Sequence, residues 1–516
     1  MIRRTKKPEP FALDRRRLLR GGASGLSTLL LGASGPFSLS ACLKSGEVQK
    51  GKINSSEAPR KFLFVFGAMG GASINDSFLA RRESEVKTPS ILNVFPDQLI
   101  KGIDGSDLRA VDMAADAIGA LPFPVKAVQS RFLSKYHQDI MVATVSGTSV
   151  AHPTAQFRSV TGHDAWNGRT LQEAVAAHHG KGLLLPNINM ATVGYAEHGT
   201  DASLPSYAIA ETIADPAFFP FGMHGYKGIQ GAPSDKLMNM ARNLRDQQLE
   251  PQSPFVQANR SNALIQEWIA ARSRQRLFED SDLINRLNPF EDSKDLPFKD
   301  FNLEPNKDSE LLRAAFPDLG ADPLQTQACL AYLSITQGLT CTATFGLGMN
   351  VSVDGKDIDS PLLTNTPTAF DYSHNAHRST QALLWHRVLD TLDRLITLLK
   401  ATEYRDGESY WDHSMIYIAT EFGRDKKRLA NLREFPTGHD VNNGVVVISP
   451  MAQGGRVLGG VDGETLQTYG FNPETGEPER GRQMSEKEIY AGILQALEVD
   501  TSGSGLPSVK AMRRKS

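Results

Sequence analysis

Asp371, His374 and His377 fall within the short stretch FDYSHNAHR, the densest group of metal-ligand side chains in the chain. A carboxylate and neutral imidazoles are what a Zn²⁺, Mn²⁺ or Ca²⁺ hydrolase site takes, with one position left open for a substrate oxygen. Residues of the same chemistry recur elsewhere. Ser73, Asn75 and Asp76 lie in GGASINDSF; Ser146, Thr148, Ser149, His152, Thr154 and His163 lie in SGTSVAHPTAQFRSVTGHDAWNG; Glu421 and Arg424 lie in TEFGR; His439 and Asp440 lie in TGHDVNNG. Each also has a plain reading, because a lone surface histidine is usually solvated and Asp371 or Ser379 is equally able to cap a helix.

These groups sit next to apolar runs. Lys61–Gly71, Asp139–Gly147, Ile188–Gly194, Leu339–Gly348, Ser414–Gly423 and Gly444–Pro450 are short, apolar and bounded by glycine or proline. Such runs read as buried, largely parallel strands. Amphipathic helical patterns lie between them, the longest over Arg378–Thr402. The alternation predicts an α/β fold with a doubly wound, mostly parallel sheet, in which sites form at the carboxyl ends of strands. The stretch 202–321 breaks the rhythm and reads as a helical and loop insertion, with Asn288–Glu310 as an extended surface loop.

The amino terminus carries Arg15-Arg16-Arg17-Leu18-Leu19-Arg20 and then a Gly/Ala/Ser-diluted apolar stretch, interrupted by Gly35-Pro36. That order reads as an export signal of the twin-arginine (Tat) type over residues 1–41, with the Tat translocon as a transient partner. Leu39-Ser40-Ala41-Cys42 resembles a bacterial lipobox, so Cys42 is a candidate lipidation site and 42–60 a polar tether to a membrane. Ordinary cleavage after Ala41 is the alternative. The expected location is periplasmic or at the outer surface. Without residues 1–41 the chain has 48 Lys/Arg and 56 Asp/Glu, a formal charge of −8. A net-acidic exported chain with no basic block excludes nucleic acid as a partner class. Cys329 and Cys341 are too few for a disulfide framework and read as core residues of a helix and the strand after it.

TGHDAWNG (Thr161–Gly168) and TGHDVNNG (Thr437–Gly444) echo each other, yet their flanks share nothing. The likeness is one of turn chemistry. Thr161-Gly162 reads as a helix C-cap and Asn167-Gly168 as a turn, while the asparagines and Gly444 lead into a strand. His163 stays a candidate substrate contact, as does His152.

FLFVFGAMGGA, AHPTAQFRSVTG, SHNAHRSTQ, IATEFGR and GHDVNNGVVVISPMAQGGRVLGG together resemble, in this order, the exported bacterial proteins of domain of unknown function family 1501. The resemblance covers most of Lys61–Asp462 and implies an alkaline phosphatase-like three-layer sandwich over 61–516, related to the sulfatases. It implies an exported metal-dependent hydrolase of a phosphate or sulfate ester, acting on a small anionic ester or an envelope component. Thr154 matches the nucleophile position, and Arg424, closing the TEFGR motif, is the other candidate catalytic residue. Asp371 with His374 or His377, and His439, would make one metal site; Glu421 and Asp76 would make a second. Zinc is the expected ion, with manganese or calcium as alternatives. Ser73, Ala151 and Phe422 depart from the family pattern, and the last motif reads Gly-His-Asp where Asp-His-Gly is common. These departures keep a second reading open, a catalytically inactive binding or scaffold lipoprotein of the cell envelope. Location alone would also suit an envelope-remodelling or carbohydrate-active enzyme.

Overall fold

The computed structural model describes residues 58–113, 127–294, 297–348, 369–429 and 432–515. The expected signal over 1–41, Cys42 and most of the tether 42–60 lie outside them. Gly51–Ser516 forms one compact unit.

Eight strands make the main sheet: β1 (Phe62–Gly67), β2 (Ile140–Ser146), β3 (Asn187–Asn189), β4 (Glu211–Thr212), β5 (Thr342–Gly346), β6 (Ser414–Ala419), β7 (Asn442–Ile448) and β8 (Arg456–Leu458). Their order is β8-β2-β7-β6-β1-β5-β3-β4. Each of the six apolar runs supplies one strand, and β4 and β8 are short additions at the edges. All neighbours run parallel except β7, which is antiparallel to both β6 and β2. Between β6 and β7 no helix forms among the described residues, and a parallel return without a crossover element is not available. Asn442, Asn443 and Gly444 therefore open β7 itself instead of shaping a turn before it.

Alternate residues of β1 explain the layering. Phe62, Phe64 and Phe66 face one cluster, which includes side chains of α1 (Gln129–Tyr136), α4 (Pro323–Thr336) and α5 (His377–Ala401). Leu63 and Val65 face the other, with α2 (His152–Thr161), α3 (Leu171–His179) and α6 (Glu486–Ala496). A strand buried on both sides needs apolar residues at every position, which is what the uninterrupted run supplied. Helices thus cover both faces of the sheet. On the first, Trp385 of α5 packs 5.3 Å from Phe78 and donates to the Ser73 carbonyl at 3.1 Å. That tie fixes the loop after β1 against the helix.

The 202–321 stretch is helical in its centre, with Asp235–Leu244, Pro254–Ala258 and Ala263–Asp280. Asn288–Glu310 departs from the expected surface loop. Phe298 and Leu303 are buried with Ile284, so aromatic and aliphatic side chains fold this piece back on the preceding short helix Leu283–Arg286. None of the helices among the described residues is long and apolar enough to cross a membrane.

Cys329 of α4 and Cys341, just ahead of β5, are both free thiols in the core. Burial pushes the Cys341 thiol up to about 12 and raises Cys329 likewise, which leaves almost no reactive thiolate. In the Gly51–Ser516 unit, a thiol reagent at neutral pH is expected to label neither cysteine until denaturant unfolds the chain. Rapid labelling of the native unit would contradict this packing.

Candidate metal centre

Two glycines set the geometry. β1 ends in Gly67, and the chain turns through Gly70 and Gly71 with φ of +95° and +79°. A Cβ on Gly70 would lie 2.0 Å from the Asp371 amide nitrogen, and one on Gly71 would lie 2.5 Å from the Phe422 ring. Only glycine permits this approach of backbone and site.

Their amides then hold an acid. Glu421, two residues past β6, takes φ +69° and folds its carboxylate back to accept from Gly70 N at 2.5 Å and Gly71 N at 3.1 Å. Its other oxygen accepts from Gln156 Nε2 at 3.0 Å and from His152 Nδ1 at 2.7 Å. The left-handed conformation is costly for glutamate and is offset by these four bonds. With Nδ1–H turned to Glu421, His152 presents Nε2 to Asp371 Oδ1 at 3.1 Å.

Asp371 is the meeting point. It sits in the short turn Phe370–His374, so His374 lies on the same side, with Nε2 3.3 Å from Oδ1. His439 Nε2 is 3.7 Å from that oxygen and 2.8 Å from His374 Nε2. His439 Nδ1 donates to the Val150 carbonyl at 2.7 Å, which fixes its tautomer. Arg424 Nη2 donates to Asp371 Oδ1 at 3.1 Å and to the Gly70 carbonyl. The short ladder pairing Gly423–Arg424 with His439–Asp440 sets that arginine beside His439. Phe422 stacks on His439 with centroids 4.1 Å apart and lies 5.0 Å from the His152 ring.

Electrostatics follow from this packing. Hydrogen bonds to Asp371 and then Glu421 raise His152 to about 9. Burial opposes ionisation of Asp371, but its bonds to His152, His439 and Arg424 outweigh it and hold the carboxyl well below the usual range. His374 is lowered by burial and by the nearby Arg424 charge.

His152, Asp371, His374 and His439 form a group that can hold a metal ion, with one ligand atom from each lying within 4.8 Å of the others. The fit is chemical as well as spatial. Two imidazole nitrogens 2.8 Å apart need a proton or a cation between them. Four ligands at tetrahedral zinc distances lie roughly 3.4 Å apart, close to the 3.1, 3.3 and 3.7 Å seen around Asp371 Oδ1.

The other expected site residues lie as follows. His377 and Asp76 are buried and bonded to each other at 3.0 Å, with Thr437 Oγ1 on His377 Nδ1 at 2.9 Å and Asn93 on Asp76. The structure does not bring them into the four-residue group. His377 is the first residue of α5, which turns its ring inward. Glu421 is not in the group either and holds His152 from behind. His152, expected as a substrate contact, presents a ligand atom. Arg424 is fully buried, with its guanidinium on Asp371 and backbone carbonyls. Thr154 is exposed on the first turn of α2, two residues after His152. His163 is exposed beyond Gly162, the left-handed C-cap, at the far end of that ten-residue helix, roughly 15 Å along its axis. Sequence reasoning missed the roles of Gln156, Phe422 and the Val150 carbonyl. Of these only Phe422 left a signal, as an aromatic directly after a strand-end acid.

Compared with family models, curated proteins and solved structures, the chain matches none.

Gly70→Ala is expected to lower unfolding stability by about 2–4 kcal/mol, because strain and a backbone clash coincide. Chemical denaturation would measure it. A loss under roughly 1 kcal/mol would show that the loop yields freely.

Proposed function

We propose that this chain is an exported, membrane-tethered, metal-dependent hydrolase of a phosphate or sulfate ester, on an alkaline phosphatase-like sandwich. The observation that supports it is the convergence of His152, Asp371, His374 and His439 at the carboxyl edge of the parallel strands, which His439 reaches from the amino end of antiparallel β7. The sequence resemblance to domain of unknown function family 1501 points the same way. Three imidazoles and one carboxylate favour zinc, then manganese, over the all-oxygen shell calcium prefers. A bound cation supplies Lewis acidity at an ester or nucleophile oxygen.

The chain's own residues do the rest in this reading. Glu421 keeps the His152 proton on Nδ1 and leaves Nε2 for a ligand bond. Val150 does the same for His439. Arg424 positions Asp371 and, being fully enclosed, does not touch substrate. Phe422 shields the imidazoles on one side. His374, whose side chain is 42% exposed, marks the open side from which an ester enters. Thr154 stands on the first turn of α2, where free amides and the helix dipole favour an anionic ester and a nucleophilic hydroxyl.

One observation favours the scaffold reading. Both oxygens of Glu421 are taken by four donors, and Asp76 is taken by His377 and Asn93, so these acids are not free for a second ion.

Elemental analysis of chain purified without chelator, beside His439→Ala, tests the site. About one equivalent of zinc or manganese that is lost in the variant is expected. Absence of metal from both proteins would defeat the hydrolase reading. With metal present, hydrolysis of phosphate and sulfate esters should fall by about 10³-fold or more in Thr154→Ala. Bound metal with no turnover of any ester would favour the scaffold, and full turnover in Thr154→Ala would remove that residue as nucleophile.

A further inference from the structure

The 202–321 stretch carries an apolar surface that is left in solvent. Helix Asp235–Leu244 has no buried residue, although Leu237, Met240 and Leu244 recur at helical spacing on one face. Farther along, Leu249, Phe255, Leu264 and Trp268 are 62, 61, 78 and 50% exposed. Ion pairs Arg242–Glu279 and Arg272–Glu250 show the construction. The chain runs out along one helix and returns antiparallel along Ala263–Asp280, which has 18 residues and spans about 27 Å. Leu249, Phe255, Leu264 and Trp268 belong to the outer part of the hairpin, at or beyond the Arg272–Glu250 pair. Exposed apolar groups of this size on one projection mark an interaction surface.

The root of this hairpin identifies what covers it. Arg286, just after the return helix, donates to the Gln337 carbonyl at the end of α4. Tyr410 donates to the neighbouring Thr336 carbonyl at 3.2 Å, and its ring lies 5.3 Å from Phe62, the first residue of β1. Arg60 bonds the His179 carbonyl at 2.6 Å and Tyr404 at 3.1 Å. The hairpin is thus rooted at the amino-terminal edge of the strands, the side on which the described chain begins at Ala58. The candidate metal centre lies at the opposite ends of those strands.

We infer that the hairpin around Leu249–Trp268 is a bilayer-docking element, inserting its apolar side chains into the headgroup boundary of the membrane that holds the amino terminus. Leu, Phe and Trp supply the buried face, and Arg260, exposed between Phe255 and Leu264 in the chain, is the cation nearest to them for phosphates. The choice of a bilayer rests on the lipoprotein reading of Cys42; the exposed surface does not, and neither does it depend on turnover at the metal centre.

The test uses the lipid-free Gly51–Ser516 unit, which carries its own core, with vesicles of phosphatidylethanolamine and phosphatidylglycerol. Flotation with the vesicles is expected, together with a blue shift in tryptophan emission. Trp385 and Trp411 are buried already and Trp166 is half-buried under Arg169, so the part of the shift that vanishes in Trp268→Phe reports Trp268. Phe255→Ser/Leu264→Ser should cut partitioning roughly tenfold, with metal content and thiol protection unchanged. Leu429→Ser, at an exposed leucine elsewhere, should leave it intact. No partitioning, or partitioning indifferent to the double variant, overturns the proposal. So does a dimer that the double variant dissolves, since a second copy would then be the occupant.

Discussion

The Glu421 carboxylate turning back onto the Gly70 and Gly71 amides is the interaction on which the rest of the site depends. It joins the carboxyl ends of two adjacent parallel strands, β1 and β6, through a charge-assisted pair of hydrogen bonds in a buried setting. The glycines must be glycines because Asp371 and Phe422 press against them. The acid must be turned into the left-handed region because only then do its oxygens meet two amides, an amide side chain and an imidazole together. Remove the clasp and His152 loses its orientation, while the Asp371 turn loses the surface it rests on.

Around that clasp, charge is balanced by neighbours more than by solvent. One oxygen of Asp371 faces three imidazoles and a guanidinium. Arg424 keeps the carboxylate ionised without a metal and competes for it when one binds. Such an arrangement favours a site that survives empty, in contrast to small metal domains that unfold without their ion.

The sheet was legible because burial on both faces forces continuous apolar runs. Five of the six runs form strands over half or more of their length, and Ile188–Gly194 does so only at its start before entering a short helical turn. The direction of β7 was not, since an apolar strand looks alike in either direction and only the missing crossover helix decides it. Among site residues, Asp371, His374 and His439 converge as their placement at strand ends suggested. His377 does not, because the short turn Phe370–His374 gives way to α5 at that residue and rotates the next imidazole into the core. Spacing in the sequence is the same on either side of that change in helix type; side-chain direction is not. His152 could be placed near a site but not assigned as a ligand, since its role depends on Glu421, which is remote in the chain.

The ligand set also has a consequence for how the molecule is made. His152, Asp371 and His439 are each separated by many tens of residues, and the supporting groups come from Gly70 and Glu421 as well. No fragment ending before His439 contains all four residues of the group, and the chain-closure entropy for all of these segments must be met before the group is assembled. A nascent chain would therefore offer a metal no complete group until His439 is made and brought to Asp371. Any choice of metal at this group would then fall to the finished protein and to whichever compartment it occupies at that moment.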